Sequence, residues 1–311
     1  MAIRRARHRA LGVLFALGLG AVSAGQTARV ADWADRASFH CETVANVVYR
    51  TASGMDLKVD LYLPARTAPV PAVLLIHGGG WVEGHKEEEL TGALPYLALG
   101  YAIVNVQYRL AKSALAPAAV EDCRCALYWV LDHAAEYKLD PARVVVTGSS
   151  AGGHLALTTG MLPPSSEFDR TCPRPEAYRW TGGKDPANPK VAAIVNWFGI
   201  TDVVDLLDGP NMKTYAVAWL GSMSNRDDVA RRVSPLSYVR AGLPPVITIH
   251  GDADPTVPYS HAVRLREALD KAGVPNQLVT VPGGRHGGFS RDDTLKAYAA
   301  IYAFLEKHKL K

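Results

Sequence analysis

Gly148-Ser149-Ser150-Ala151-Gly152 stands between two stretches of opposite character. Before it runs Arg143-Val144-Val145-Val146-Thr147, a β-branched stretch; after it runs Gly153-His154-Leu155-Ala156-Leu157, a helical pattern. G-x-S-x-G needs this context of strand, sharp turn and helix. The turn is so tight that the residues two before and two after the serine crowd each other, which explains why both are glycine. It holds the Ser150 hydroxyl above the sheet, at a helix N-terminus whose dipole favours developing negative charge. Alone the pattern is common, so its weight depends on what the other strand ends carry.

Outward from the turn, apolar β-rich runs recur at Ala72–His77, Tyr101–Val106, Val191–Trp197, Pro245–His250 and Gln277–Val281. They have the length of buried strands. Asn46–Arg50 and Asp56–Leu63 alternate more and are joined through Ser53-Gly54, so they read as an antiparallel hairpin at the sheet edge. Helical patterns fall between, at Glu87–Leu99, Ala118–Tyr137, Ala151–Met161, Tyr259–Ala272 and Asp292–His308. This alternation predicts an α/β fold: a mostly parallel central sheet of about eight strands with helices on both faces. In such sheets the working residues gather at the carboxyl ends of the strands.

Three of those ends carry candidates. The strand at Ala72–His77 runs into His77-Gly78-Gly79-Gly80-Trp81, where glycine leaves backbone N–H groups open to a ligand. A tetrahedral acyl intermediate needs two or three such donors for its oxyanion. Gly79, Gly80 and the amide after the serine, Ala151, are the expected set. The strand at Pro245–His250 runs into Gly251-Asp252-Ala253-Asp254-Pro255-Thr256-Val257-Pro258. One of its two carboxylates is expected to orient a histidine. Asp254 is preferred, with Asp252 bracing the loop through backbone hydrogen bonds, although spacing alone leaves the choice open. The strand at Gln277–Val281 runs into a glycine-rich loop with His286, a candidate general base and then general acid. Ser150, Asp254 and His286 follow in the order Ser, Asp, His. His77, His154 and His250 read as structural. No H-E-x-x-H occurs, and the reading calls for no metal and no cofactor.

The combined motifs resemble the α/β-hydrolase superfamily, and within it the carboxylesterases. His77–Trp81 and Ser150-Ala151-Gly152-Gly153 are similar to the hormone-sensitive-lipase-like group, which typically has Asp where this chain has Ser149. The stretch 148–156 and the H-G-x-x-D-x-x-V-P form at His250–Pro258 look more like the bacterial feruloyl and acetyl-xylan esterase group. The latter form also resembles prolyl-oligopeptidase-like enzymes, in which the second Asp is the acid, and this supports Asp254. The resemblance covers roughly residues 45 to 308. It implies an α/β-hydrolase fold and a serine carboxylic ester hydrolase working through an acyl-enzyme on short acyl or aromatic esters of acetyl or feruloyl type. An amide or peptide hydrolase of prolyl-oligopeptidase-like or formamidase type is the second reading. A non-catalytic binding protein on a hydrolase scaffold is a third, which the presence of Ser150 and His286 disfavours.

The rest of the chain bounds the setting. Arg4, Arg5, Arg7 and Arg9 precede an apolar run from Ala10 to Val22 and small residues at Val22-Ser23-Ala24, so residues 1–24 read as a signal peptide. That run is shorter than the ~20 apolar residues of a membrane span. Residues 25–44 read as a lead-in and 45–311 as one catalytic domain, with loop excursions at 163–189 and 200–240. The full chain has 34 Lys+Arg against 30 Asp+Glu, and the four leader arginines account for the whole excess. Nothing in the charge therefore points to nucleic acid, and the mature part needs no membrane span. A secreted or periplasmic protein acting on a small-molecule or polysaccharide-linked ester is the expectation. Aromatic residues in the excursions and Trp81 beside the glycine loop are candidate substrate walls. Cys123 and Cys125, two apart on one helix, point to different sides. A bridge from Cys172 to Cys41 or to a helix cysteine is expected, with four free thiols as the alternative.

Overall fold

The computed structural model of the chain describes residues 41–173 and 189–310. The expected leader, most of the lead-in, and residues 174–188 of the first excursion, with Tyr178 and Trp180, lie outside the described residues.

The strands are β1 (Cys41–Ala52), β2 (Met55–Pro64), β3 (Val70–Ile76), β4 (Ala102–Val106), β5 (Leu139–Ser149), β6 (Ala193–Trp197), β7 (Val246–Gly251) and β8 (Asn276–Val281). They form one eight-stranded sheet in the order β1-β2-β4-β3-β5-β6-β7-β8. β1 and β2 form the expected antiparallel hairpin through Ser53 and Gly54, both at positive φ, as a two-residue turn of this hand requires. From β4 onward every pairing is parallel. β1 begins at Cys41, so residues 41–44, expected in the lead-in, belong to the sheet and pair with Pro64 to Leu61.

Successive strand residues point to opposite faces, and here both faces are apolar. Leu74, Ile76, Val144, Val146, Ile194 and Val246 pack on one side with helices α2 (Ala118–Asp132), α3 (Ala151–Met161) and α6 (Ser260–Lys271). Val73, Val145, Val195 and Ile247 pack on the other with Tyr96 of α1 (Leu90–Ala98) and with Ala297, Ile301 and Phe304 of α7 (Arg291–Lys307). That two-sided burial explains why the central strands read as unbroken apolar runs rather than alternating ones.

The stretch 200–240, expected as a loop, carries α4 (Thr214–Leu220) and α5 (Arg226–Val233). At seven and eight residues they are too short to show a clear period. A disulfide joins Cys125 of α2 to Cys172, while Cys41 and Cys123 are unbridged. Among the described residues no helix is long and apolar enough to cross a membrane.

Candidate active site

Ser150 caps α3 with φ 55° and ψ −118°, a backbone conformation that costs a non-glycine residue energy and that the surroundings must enforce. They do so by close approach. A Cβ on Gly148 would lie 2.4 Å from the Ile76 carbonyl oxygen, and one on Gly152 would lie 2.1 Å from the same atom. The turn is thus wedged against the end of β3, where the glycine loop begins. The Ser150 N–H donates to the Trp197 carbonyl at 2.9 Å, tying the turn to β6 as well.

Ser150, Asp254 and His286 converge from three loops. His286 Nε2 lies 2.8 Å from Ser150 Oγ, and His286 Nδ1 lies 2.7 Å from Asp254 Oδ2. The Asp254 side chain is fully enclosed while the His286 ring keeps 20% exposure, so the imidazole can meet solvent and substrate and the acid cannot. Asp254 Oδ1 accepts from the N–H groups of Thr256 and Val257 at 2.7 and 3.0 Å. Burial opposes its charge, but hydrogen bonds from His250, His286 and the Val257 N–H hold the carboxyl well below the usual Asp range. Asp252 faces elsewhere: its Oδ1 accepts from the Gly283 N–H at 2.6 Å and staples the acid loop to the histidine loop. The two loops also touch directly, since a Cβ on Gly251 would lie 2.2 Å from the Gly284 carbonyl oxygen.

The glycine loop is held with equal care. Val82 and Glu83 both donate to the Gly79 carbonyl, curling the loop back on itself. Gly79 has φ 100°, and a Cβ there would collide with the Glu83 carbonyl at 2.0 Å. Among the described residues no loop or turn hydrogen bond takes the N–H of Gly79, Gly80 or Ala151. Tyr108 donates to the carbonyls of His77 and Gly78 at 3.0 Å, and its ring stacks on His77.

Trp81 needs a correction. Its side chain is fully buried, so it is not a substrate wall. Its indole stacks on Trp219 at 4.1 Å and donates from Nε1 to His154 Nδ1 at 3.2 Å. His154 in turn donates from Nε2 to the Val233 carbonyl at 2.7 Å, which settles its tautomer. Burial lowers His154 to a pKa of about 3, so the ring is neutral and serves Trp81 as an acceptor. The indole therefore anchors the glycine loop to α3. Trp219, counted with the candidate aromatics, is buried in the same stack. Phe198, by contrast, sets its ring 4.7 Å from that of His286.

Glu89 has no motif to announce it. Its carboxyl accepts from the Ser149 hydroxyl, and the Gly78 N–H also supports it, so one side chain links the serine turn to the glycine loop. Burial raises its pKa despite those bonds. It lines a pocket of about 300 Å³ with Ser149, Trp197, Phe289 and Tyr298. Gly287 and Gly288, next along the chain from His286, border both this pocket and a second of about 630 Å³ that His286 itself lines.

The sequence model of the BD-FAE family matches residues 59–269. The chain is similar to the esterase LipQ of Mycobacterium tuberculosis, 28% identical over 231 residues that cover 72% of this chain and 51% of that protein. It spans about half the length of the curated relatives it matches. Among solved structures it is similar to a truncated carbohydrate esterase from gut microbiota, with TM-score 0.72 and 26% identity over 88% of this chain and 98% of that one. A thermophilic esterase, Est2 of Thermogutta terrifontis, aligns with TM-score 0.68 and 30% identity over 86% of this chain and 92% of that one. That esterase has also been solved with propionate bound, with butyrate bound and phosphorylated by paraoxon.

Proposed function

The chain belongs to the BD-FAE family, and from that premise we propose that it is a serine carboxylic ester hydrolase acting on short acyl or aromatic esters. One observation carries the reading: an unbroken relay, Ser150 Oγ to His286 Nε2 and His286 Nδ1 to Asp254 Oδ2, at 2.8 and 2.7 Å. In this reading Ser150 Oγ attacks the ester carbonyl carbon while His286 Nε2 takes its proton. The carbonyl oxygen becomes an oxyanion facing the N–H groups of Gly79, Gly80 and Ala151, with the N-terminus of α3 adding its dipole. Collapse expels the alcohol, which leaves with the proton from His286. Water then attacks the acyl-Ser150 by the same route and releases the acid. Asp254, sealed and ionised, keeps the ring's Nδ1 protonated and its Nε2 aimed at the serine.

Propionate and butyrate bound in the Thermogutta esterase support a short acyl group. The carbohydrate esterase likeness supports a sugar-linked ester, as do the aromatic rings and carboxyl around the pocket beside Ser149. The leader-like residues 1–24 and the disulfide support an exported, secreted or periplasmic protein. Replacing Ser150 with Ala is expected to abolish p-nitrophenyl acetate hydrolysis, a fall of at least about 10³-fold, with the melting profile retained. Turnover surviving in a folded Ser150→Ala protein would refute the assignment. A panel of acetylated xylan, methyl ferulate, simple acyl esters and aryl amides then ranks the substrates, and a preference for amides would move the enzyme to the second reading.

A further inference from the structure

The acid loop holds a second histidine that this reaction leaves unused. His250 lies at the end of β7, four residues before Asp254, and is fully buried. Its Nε2 lies 3.2 Å from Asp254 Oδ2 and 3.1 Å from the Val257 carbonyl oxygen. Both neighbours are acceptors, so Nε2 must carry a proton. Nδ1 is buried with no hydrogen-bond partner, where a proton would be stranded. The arrangement selects the Nε2–H tautomer. Asp254 Oδ2 thus takes the His286 Nδ1–H and lies within 3.2 Å of the single His250 Nε2–H, which is shared with the Val257 carbonyl, while Oδ1 receives two backbone N–H groups.

We propose that His250 is a positioning residue of the hydrolytic relay: its Nε2–H, divided between the Val257 carbonyl and Asp254 Oδ2, holds that oxygen against His286 Nδ1 and shares its negative charge. The proposal rests on the reading of Ser150, His286 and Asp254 as the working triad. Two consequences separate it from simple packing. A carboxylate freed of His250 swings more widely, so His286 is aimed less well and kcat falls while KM holds. The same carboxylate, with its charge no longer shared, grips the His286 imidazolium more tightly. The base is then protonated at higher pH, and the acid limb of the kcat/KM profile moves up.

Tyr215 of α4 donates to the Thr256 carbonyl and feels the Asp254 charge, but burial pushes its phenol further up, so it keeps its proton across the limb. Lys213 reaches the Pro255 carbonyl at 2.9 Å from the exposed side. Ser150 Oγ and the Phe198 ring face His286, and the Tyr259 and Phe198 rings flank His250.

The test compares His250→Met, which fills the space without a donor, with His250→Gln, whose amide nitrogen can stand where the imidazole Nε2 does. In His250→Met the acid limb should rise by about half to one pH unit, with kcat for p-nitrophenyl acetate about tenfold lower and KM unchanged. In His250→Gln the limb and most of kcat should return. Two variants with the wild-type limb, or two with equal losses and no shift, would overturn the proposal. Should the Met variant fail to fold, imidazole ¹⁵N spectra of the wild-type protein between pH 5 and 9 decide instead. A His250 Nε2–H resonance that moves as His286 titrates supports the proposal, and a resonance indifferent to that titration, or the opposite tautomer, ends it. Ser150→Ala is run alongside: if it still turns over, the triad reading fails and takes this one with it. If it is dead while the His250 variants keep the wild-type limb, only the positioning role fails.

Discussion

Replacing Trp81 with Phe would leave the stack on Trp219 but remove the donor that satisfies His154 Nδ1. A buried acceptor left unpaired costs about 1–3 kcal/mol. Since the indole anchors the glycine loop from a fully buried position, the variant is expected to lose kcat, by about three- to tenfold, for acetyl and butyryl esters alike. A changed ratio between the two esters, with kcat intact, would place the ring against the substrate after all. The contrast with the triad shows what single residues reveal before folding. Ser150, Asp254 and His286 each sit in a short motif at a strand end, where the order along the chain decides their relation. The direction of the Trp81 side chain depends on a positive φ and on a histidine 73 positions away, which no local pattern encodes. Glu89 is hidden for the same reason: its partner Ser149 is 60 residues distant.

Among the elements, the join between α2 and the first excursion concentrates unusual bonding. Arg124 is fully buried and meets both oxygens of Asp169, at 2.7 and 2.8 Å, while its remaining nitrogen serves the Thr159 carbonyl. Three residues beyond Asp169, Cys172 is bridged to Cys125, a sequence separation of 47. In the chain-entropy picture a loop of that length gives about 4 kcal/mol as an upper figure. Cys125→Ser with Cys172→Ser is therefore expected to lower stability by about 2–4 kcal/mol. Asp169→Ala should cost more, about 3–5 kcal/mol, because it strands a buried guanidinium. Urea titrations of both variants check the ranking, and an Asp169→Ala protein as stable as wild type would contradict it. The strands were legible to within a few residues at most ends, since a buried parallel sheet demands continuous β-branched runs. α4 and α5 were not, because two turns of helix leave too few apolar positions to mark a face.

For the molecule as a whole, acid is the expected weakness. Burial lowers His77 and His261 to pKa values of about 4 and His154 to about 3. An unfolded chain would protonate them near 6.5, so between that value and 4 the unfolded state binds more protons than the folded one. Their stability is thus complete above about pH 6.5 and is lost as pH falls toward 4, on the order of 3 kcal/mol for each ring. The urea midpoint should fall steadily from pH 7 to pH 5, while a midpoint independent of pH over that span would show the rings protonated in the fold. The hairpin edge and the parallel centre could be read from the chain, but the pairing of β3 with both β4 and β5 could not, because strand neighbours are chosen by packing across the sheet.

The parallel sheet gives the molecule two unlike rims. Every part of the proposed site hangs from the rim where β3, β5, β7 and β8 end. Lys138 and Lys271 are exposed at the other rim, just ahead of β5 and β8. β5 alone, Leu139–Ser149, sets about 30 Å between its two ends at the usual rise per residue. A bead, electrode or fibre coupled through either lysine would hold the protein by its back and leave the edge that carries the proposed site turned toward the solution.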